Sequence, residues 1–270
     1  MDKALDIDPL LGPAASDLGW VPAPRYLLRR ARILTKLKAM SRGRLLEVGP
    51  GAGSLLIEAA LLGFDCEALE LSAEARELAL KLIARSGANI PVRANPLAEW
   101  RGRFDVLCAF DVLEHIEDDR ATLEEWRSWL RPGGTMLLSV PAHTKLWSAG
   151  DEWAGHYRRY EREGLRALLE RTGFTVERFE CYGFPVSNLS ERISAPMYAR
   201  RILRGDATPN VDRRMNNDRS GTQRDSHLKL FPILSSMPGK WGLRLAFAIQ
   251  NAFLTSDRGS GYIALTKATD

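Results

Sequence analysis

Short apolar runs alternate with amphipathic stretches across residues 44–181, and this alternation restricts the possible folds more than any other feature. Apolar runs of about four to eight residues predict buried strands, and apolar residues repeating every three or four positions predict helices. Strands and helices that alternate in this way are typical of βαβ units, with a mostly parallel sheet and helices on both faces. The predicted strands are 44–48, 66–71, 90–94, 104–110, 134–140 and 174–181, and the predicted helices are 54–62, 73–86, 119–130 and 161–172.

The remaining segments flank or interrupt this core. Residues 1–19 contain Pro and Gly breakers and are predicted to be irregular, whereas 24–40 have helical spacing. Residues 183–258 separate the predicted strand at 174–181 from one more apolar run near the end of the sequence. This stretch is too long for a simple connection and is interpreted as a cap over the substrate, with an apolar helix near 240–254. We divide the chain into an N-terminal extension and helix (1–40), a core (41–182), a cap (183–258) and a final strand (259–270).

Composition excludes several classes of protein. A chain of 270 residues with 45% hydrophobic and 27% charged residues is neither fibrous nor wholly disordered. No apolar run approaches the roughly 20 residues that span a bilayer, and the start does not resemble a secretory signal, so a cytoplasmic location is expected. Cys66, Cys108 and Cys181 lack CxxC spacing. They are expected to be buried free thiols, and no metal site is predicted.

The positive charge is concentrated in one segment. Residues 200–229 contain eight Lys or Arg and four Asp, so their net charge is +4. This value equals the net charge of the whole chain. We interpret this segment as a contact for an anionic substrate or a membrane surface, with a solvated loop as the alternative. Part of it, 206–227, has few large apolar residues and is expected to be mobile. The low overall charge disfavours a dedicated nucleic-acid binder.

A glycine-rich stretch, Gly49-Pro50-Gly51-Ala52-Gly53, follows the first predicted strand of the core. Glycines let the backbone turn tightly and approach a ligand, and the next helix offers free N–H groups to it. The third glycine comes one position earlier than in the dinucleotide pattern, and no Lys-Ser/Thr pair follows as in a P-loop. Glu47, at a position that is normally apolar in dinucleotide folds, can accept from a ligand ammonium. These details favour a sulfonium nucleoside with an amino acid end over a dinucleotide.

Acidic side chains follow two other strands. Glu70 lies 19 positions after Gly51 and can accept both ribose hydroxyls of an adenosine ligand, although a dinucleotide would use it equally. Residues 111–115 follow the strand at 104–110 and reach the sheet edge where ligands of open α/β folds bind. Both features predict an adenosine cofactor at this edge.

On these residues the chain resembles the class I S-adenosylmethionine-dependent methyltransferases, especially the small-molecule group. The matching pieces are LLEVGPGAG (45–53), ALEL (68–71), FDVLCAFDVLEHIEDD (104–119) and LRPGGTMLLSVP (130–141). The resemblance implies a Rossmann-like α/β fold with a seven-stranded, mostly parallel sheet whose last strand is antiparallel. It also implies S-adenosyl-L-methionine as cofactor and S-adenosyl-L-homocysteine as product.

The same resemblance implies a set of cofactor-binding residues. These are Glu47, Gly49, Pro50, Gly51 and Gly53 for the methionine part, Glu70 and Leu71 for the ribose, Asn95, Pro96 and Leu97 for the adenine, and Asp111, Val112, Leu113, Glu114 and His115 as flanking residues. Many relatives carry Asp near position 95, so the residue that contacts the adenine stays open.

The stretch Asp151–Tyr160 resembles a GH-x-RRY loop found in methyltransferases that tailor lipids, quinones, glycans or natural products. His156 is the first candidate for a base that takes a proton from a hydroxyl, with His115 and His143 as weaker candidates. The loop also supplies the candidate substrate-binding residues, namely Trp153, His156, Tyr157, Arg159 and Tyr160. The alternative is that Arg159 and Tyr160 only brace the start of the next helix.

The predicted function is methyl transfer to a small or amphipathic metabolite, with a hydroxyl oxygen as the expected acceptor. A base-directed nucleic-acid methyltransferase is an alternative, but an Asn/Asp-Pro-Pro-aromatic motif and a Pro-Cys pair are both lacking. A dehydrogenase is disfavoured by the glycine spacing. A non-catalytic scaffold that binds the sulfonium is left open.

Overall fold

A central sheet carries most of the chain's regular structure. The computed structural model describes residues 4–205 and 225–269. Its strands are β1 (Asp6–Asp8), β2 (Gly12–Ala14), β3 (Arg44–Val48), β4 (Asp65–Leu69), β5 (Val92–Arg93), β6 (Phe104–Phe110), β7 (Leu130–Pro141), β8 (Phe174–Tyr182) and β9 (Gly261–Ala268). Seven of them form one sheet in the order β5–β4–β3–β6–β7–β9–β8.

The helices alternate with these strands along the chain. They are α1 (Pro24–Ala39), α2 (Ser54–Leu61), α3 (Ala73–Ser86), α4 (Asp119–Trp129), α5 (Ala149–Ala154), α6 (Arg162–Arg171), α7 (Val186–Leu203), α8 (Asp225–Ser235) and α9 (Met237–Phe253). The last of these contains the apolar helix predicted near 240–254. Among the described residues, no helix has both the length and the apolar character needed to cross a membrane.

The sheet topology confirms the predicted fold class. Strand β3 pairs in parallel with both β4 and β6, whereas β9 runs antiparallel between β7 and β8. The order of the strands therefore reverses between β3 and β6. In open α/β sheets this reversal opens a crevice at the carboxyl ends of the strands, where ligands bind.

Side chains of the central strands pack on both faces of the sheet. In β3 and β6, Leu45 and Val106 belong to one buried apolar cluster, and Leu46 and Leu107 belong to the other. This is the alternation that a strand with two covered faces requires.

The three cysteines lie in β4, β6 and β8 and are buried and free, as predicted. Burial raises the pKa of the Cys66 and Cys181 thiols to about 12. The thiols therefore stay protonated and behave as small core residues.

The prediction that residues 1–19 are irregular is wrong. Strands β1 and β2 form an antiparallel ribbon in which Asp6 pairs with Ala14. Asp8 holds the turn, because its Oδ1 accepts from the N–H groups of Leu10 and Leu11 at 2.8 and 3.0 Å. The breakers thus mark a turn between two strands.

Proline usually interrupts a helix, but Pro196 does not. It lies inside α7, which continues to Leu203. Proline removes one helical hydrogen bond. Pro196 and Arg192 are both exposed, so water can satisfy the carbonyl of Arg192 that loses its donor.

Two further predictions have no structural outcome. The expected mobility of 206–227 and most of the basic segment 200–229 fall on residues outside the described ranges. The division of the chain at 40, 182 and 258 stays a prediction.

Helix α1 is joined to the core by a buried ion pair. Arg30 donates from Nε to Glu58 Oε2 at 2.7 Å and from Nη1 to the carbonyl oxygen of Leu10 at 2.8 Å. The exposed fractions of Arg30 and Glu58 are only 4% and 8%. The pair therefore connects α1 both to α2 and to the N-terminal ribbon.

We expect Arg30→Met to lower the free energy of unfolding by about 3 kcal/mol, because Glu58 would remain buried without its partner. The double variant Arg30→Met with Glu58→Leu should recover most of this loss. Urea unfolding followed by circular dichroism measures both effects. Lys81→Met is the matched control, because it breaks the exposed pair with Glu77 and should change little. An Arg30→Met midpoint equal to that of the control would contradict the prediction.

Candidate active site

The glycine loop requires a backbone that only glycine adopts easily. Gly49, Gly51 and Gly53 have φ angles of 64°, 57° and 75°. A Cβ on Gly49 would also lie 2.6 Å from Cγ2 of Val112. The loop therefore turns directly beneath the residues that follow β6, and its glycines leave the backbone open to a ligand.

Two carboxylates lie beside this loop. Glu70 follows β4 and accepts from the N–H of Gly51 through Oε2 and from the N–H of Ser72 through Oε1, both at 3.0 Å. Glu47, within β3, is buried, and burial raises its pKa to about 8. The positive charge of Arg29 opposes this shift, and repulsion from Glu70 adds to it. Glu47 is thus a carboxyl that a cationic ligand group would ionise.

Asp111 forms the centre of a charged group at the end of β6. It has a φ of 56°, and Ser139 Oγ donates to its Oδ1 at 3.0 Å. Two cations from α1 face its other oxygen, with Arg29 in direct contact and Arg25 Nη2 at 3.7 Å. Although burial opposes ionisation, the two arginines and the Ser139 hydrogen bond lower the pKa of Asp111. Asp111 is therefore an ionised carboxylate that the two arginines and Ser139 stabilise.

A histidine–aspartate pair comes from the loop after β7. Asp151 lies in α5, and its Oδ1 is 2.9 Å from His156 Nδ1 and 2.8 Å from Arg159 Nε. Although Asp151 is buried, these two partners lower its pKa. An ionised carboxylate only accepts hydrogen bonds, so Nδ1 of His156 carries a proton, and in the neutral imidazole Nε2 is then the acceptor.

Glu114 and His115 lie next to this pair. Glu114 is completely buried, and burial together with the charge of Asp111 raises its pKa well above the ordinary value. Its Oε1 is 4.0 Å from His156 Nε2. Burial and the neighbouring His156 lower the pKa of His115. The site therefore combines a neutral carboxyl and a neutral imidazole with the charged groups at Asp111 and Asp151.

These groups surround a cavity of about 350 Å³. Its wall includes the glycine loop with Glu47 and Glu70, the end of β6 with Asp111, Val112 and His115, and the loop with Trp153, His156 and Arg159. Several buried nitrogens of lining residues have no hydrogen-bond partner among the described residues, and Arg29 Nε and His115 Nδ1 are two of them. A cavity with glycine backbone on one side and unused polar atoms on the other fits a polar ligand such as S-adenosylmethionine.

Several predicted site residues do not line this cavity. Leu71, Asn95 and Pro96 are exposed, Leu97 is half-buried, and Leu113 is buried in the core. Tyr157 is half-buried beside Glu114, and Tyr160 donates from its hydroxyl to Asp119 Oδ2 at 3.1 Å. The assignments of these residues to cofactor or substrate stay predictions.

His143 lies away from the cavity. Its ring packs at 5.5 Å from the ring of Tyr262, and its Nδ1 is 3.5 Å from Glu161 Oε2. Its φ of 62° turns the chain after β7 so that the side chain lies beside β9. We therefore leave His143 out of the catalytic group proposed below.

The structure adds lining residues that the sequence analysis did not single out. These are Trp20, Arg25, Tyr26 and Arg29 around α1, Ser148 and Asp151 at α5, and Ser190, Glu191, Ser194 and Tyr198 on α7. One signal was present in the sequence. Arg25 and Arg29 lie four positions apart on one helical face, where two like charges repel unless an acid lies between them.

The model of a protein family described as a methyltransferase domain matches residues 23–178 of this chain. The matched residues include the glycine loop, Asp111 and His156. The chain belongs to this family. The match covers more than half of the chain, and it confirms the predicted class of S-adenosylmethionine-dependent methyltransferases.

Curated relatives of this methyltransferase include ubiquinone biosynthesis O-methyltransferases. The protein of that name from Xanthomonas euvesicatoria pv. vesicatoria is 29% identical over 167 residues, which are 56% of this chain and 70% of the relative. The one from Xanthomonas campestris pv. campestris is 32% identical over 150 residues, which are 50% of this chain and 63% of the relative. The similarity therefore spans about two thirds of these relatives and about half of this chain.

A solved structure supports the fold. One such structure is the phosphoethanolamine N-methyltransferase 2 of Haemonchus contortus in complex with S-adenosyl-L-methionine. The superposition covers 90% of this methyltransferase and 52% of the Haemonchus protein. The TM-score is 0.52 and the sequence identity is 17%. This likeness concerns the fold alone.

Proposed function

We propose that this methyltransferase transfers a methyl group from S-adenosyl-L-methionine to a hydroxyl oxygen of a small amphipathic metabolite. The observation that carries the proposal is the pair of His156 and Asp151 on the cavity wall, opposite a glycine loop. A hydroxyl acceptor has a proton that must leave, and a histidine whose tautomer is held by a carboxylate is suited to take it. The names of the relatives, which are O-methyltransferases of ubiquinone biosynthesis, support an oxygen acceptor.

The cofactor would lie along the glycine loop. Glu47 would accept from its ammonium, and Glu70 would accept from its ribose hydroxyls through the lone pairs not used by Gly51 and Ser72. Arg29, whose Nε has no hydrogen-bond partner among the described residues, would donate to its carboxylate, while the adenine would extend towards 95–97. When bound, the sulfonium supplies an electrophilic methyl group and leaves as a neutral thioether, so no protein acid is needed for the leaving group.

The acceptor would enter between α5, α7 and the end of β6. His156 Nε2 would take the hydroxyl proton, and Asp151 would stabilise the imidazolium that forms. Arg159 donates to Asp151 from Nε and lies 3.2 Å from Glu191 Oε2 through Nη2, so this base is braced from α7. The cavity walls would align the acceptor and shield it from water, which is the main requirement of an in-line methyl transfer.

A turnover assay with labelled S-adenosylmethionine tests the proposal. The acceptors would be hydroxylated aromatic compounds with and without an apolar tail, their amine analogues, and short RNA and DNA duplexes. We expect methyl ethers, identified by mass spectrometry, and faster turnover with the tailed compounds. Exclusive N-methylation or labelling of nucleic acid would overturn the proposal. Binding of the sulfonium with no turnover on any acceptor would favour the scaffold instead.

Cofactor binding should release a proton at Glu47. In the free protein its pKa is raised to about 8, so the carboxyl is mostly protonated between pH 6 and 7.5. A ligand ammonium would favour the ionised form, so affinity should rise with pH across this window, below the pKa of about 8 of an α-amino group. Calorimetry in buffers of different ionisation enthalpy measures the released proton. Glu47→Gln should abolish the release, and a wild-type value of zero would contradict the assignment.

A further inference from the structure

Helix α9 exposes a continuous apolar stripe. Met237, Trp241 and Leu245 lie four positions apart, and their exposed fractions are 66%, 63% and 62%. Leu230 and Ile233 of the preceding helix α8 add exposed fractions of 48% and 65%. We call these five residues the α9 face. Side chains of this size rarely stay in water together unless they contact another surface.

The outward direction of this face is set by the packing of the opposite side. Leu243 and Ala246 are buried against the protein. Gln250 accepts from the N–H of Gly183 at 2.9 Å and donates to the carbonyl oxygen of Leu28 at 3.0 Å, both within the interior. Lys240 Nζ contacts Asp8 Oδ2 at 2.5 Å, which joins the start of α9 to the N-terminal ribbon. The α9 face is thus the outward side of a docked helix, which the rest of the described chain leaves exposed.

The charges that α9 and most of α8 themselves contribute all have one sign. Residues 227–254 contain three cations, Lys229, Lys240 and Arg244, and neither Asp nor Glu. Lys229 and Arg244 are exposed, and the guanidinium of Arg244 lies 5.3 Å from the centroid of the Trp241 ring. Tryptophan with apolar neighbours and flanking cations is the composition of helices that lie in the plane of a membrane surface.

We propose that the α9 face binds the surface of an anionic lipid bilayer, with Trp241 and Leu245 inserted among the acyl chains and Lys229 and Arg244 at the headgroups. A second copy of the chain is a poorer occupant, because a two-fold contact would bring Lys229 and Arg244 of both copies together, and residues 227–254 offer no acid to pair with them. Since Gln250 joins α9 to α1, which carries Arg25 and Arg29 into the cavity, the lipid surface would lie one helix away from the proposed acceptor site.

Vesicle co-sedimentation of the full chain tests this proposal. Vesicles of phosphatidylcholine with 30% phosphatidylglycerol would be compared with vesicles of phosphatidylcholine alone, at low and high salt. We expect the protein to bind the anionic vesicles at low salt. In 0.5 M salt the binding should weaken about tenfold, because salt screens the attraction between the cations and the headgroups. Trp241→Ser with Leu245→Ser should weaken it about tenfold, and Lys229→Gln with Arg244→Gln should remove the preference for anionic vesicles.

The control is Leu61→Ser, which removes an equally exposed apolar side chain (61%) from α2. It should leave binding unchanged. Equal binding by the wild type and the Trp241/Leu245 variant would overturn the proposal, as would a dimer in sedimentation velocity that the same variant converts to a monomer. Turnover of a short-chain acceptor without vesicles is measured separately, so that failure of the lipid contact and failure of methyl transfer are distinguished.

Discussion

Replacing Glu70 by alanine should raise the dissociation constant for S-adenosylmethionine about 100-fold. The carboxylate holds the glycine loop through Gly51 and the turn at Ser72, and in the proposed complex it also accepts from the ribose. Loss of hydrogen bonds to a charged group costs roughly 1.5–3 kcal/mol each, and two such losses account for the expected change. Isothermal titration calorimetry measures the constant directly.

Two controls separate cofactor contact from a general loss of structure. Glu77→Ala removes an exposed acid from the helix that follows the same strand, and it should bind the cofactor normally. Glu70→Gln keeps the size of the side chain but presents an NH₂ to one backbone donor, so its affinity should fall between those of the wild type and the alanine variant. An alanine variant with unchanged affinity and a normal melting temperature would show that the ribose lies elsewhere.

Replacing His156 by alanine should lower kcat for a hydroxyl acceptor by about 100-fold or more, with a smaller change in KM. General bases contribute roughly 10²–10⁴ to such reactions. Asp151→Asn should give a loss in the same direction but smaller, because the amide can still accept from Nδ1 while it no longer stabilises the imidazolium. Glu152→Gln, which changes the exposed neighbour of Asp151, is the matched control.

The chemistry of the acceptor provides a second readout for this prediction. An acceptor whose hydroxyl is already ionised at the assay pH, such as a nitro-substituted phenol, needs no base. We expect His156→Ala and Asp151→Asn to lose little activity with it, whereas a merely structural role would reduce activity with both kinds of acceptor. Equal losses with the ionised and the neutral acceptor would remove His156 from the role of base.

The parts of the fold that could be predicted are those whose signals are local. The apolar strands, the glycines at 49–53 and the capped helices each require only neighbouring residues, and the structure has them where the sequence places them. Carboxyl ends of parallel strands meet at one edge, so the proximity of Glu47, Glu70 and Asp111 also followed from the topology.

The parts that could not be predicted depend on where a helix or a loop packs. Arg25 and Arg29 look like ordinary surface cations of an amphipathic helix, and only the docking of α1 against the end of β6 brings them to Asp111. His143 and His156 both follow β7. The resemblance to the GH-x-RRY loop favoured His156, but only the packing of the loop shows that His156 lines the cavity and His143 does not. The partner of His156 is Asp151, five positions earlier, and this contact depends on how α5 folds back.

Helix α1 has consequences for the tolerance of this chain to substitution. Arg25 and Arg29 line the cavity, and Leu27 and Ile33 pack in the core. Arg30 contacts α2, and Arg32 and Lys36 contact β8. The carbonyl oxygen of Leu28 accepts a hydrogen bond from α9. Only Thr35, Lys38 and Ala39 are exposed. A helix that precedes the strands of the core sheet would be expected to tolerate sequence change, but few positions of this one lack a contact with the rest of the described structure. Random mutagenesis should therefore find α1 as intolerant as the central strands.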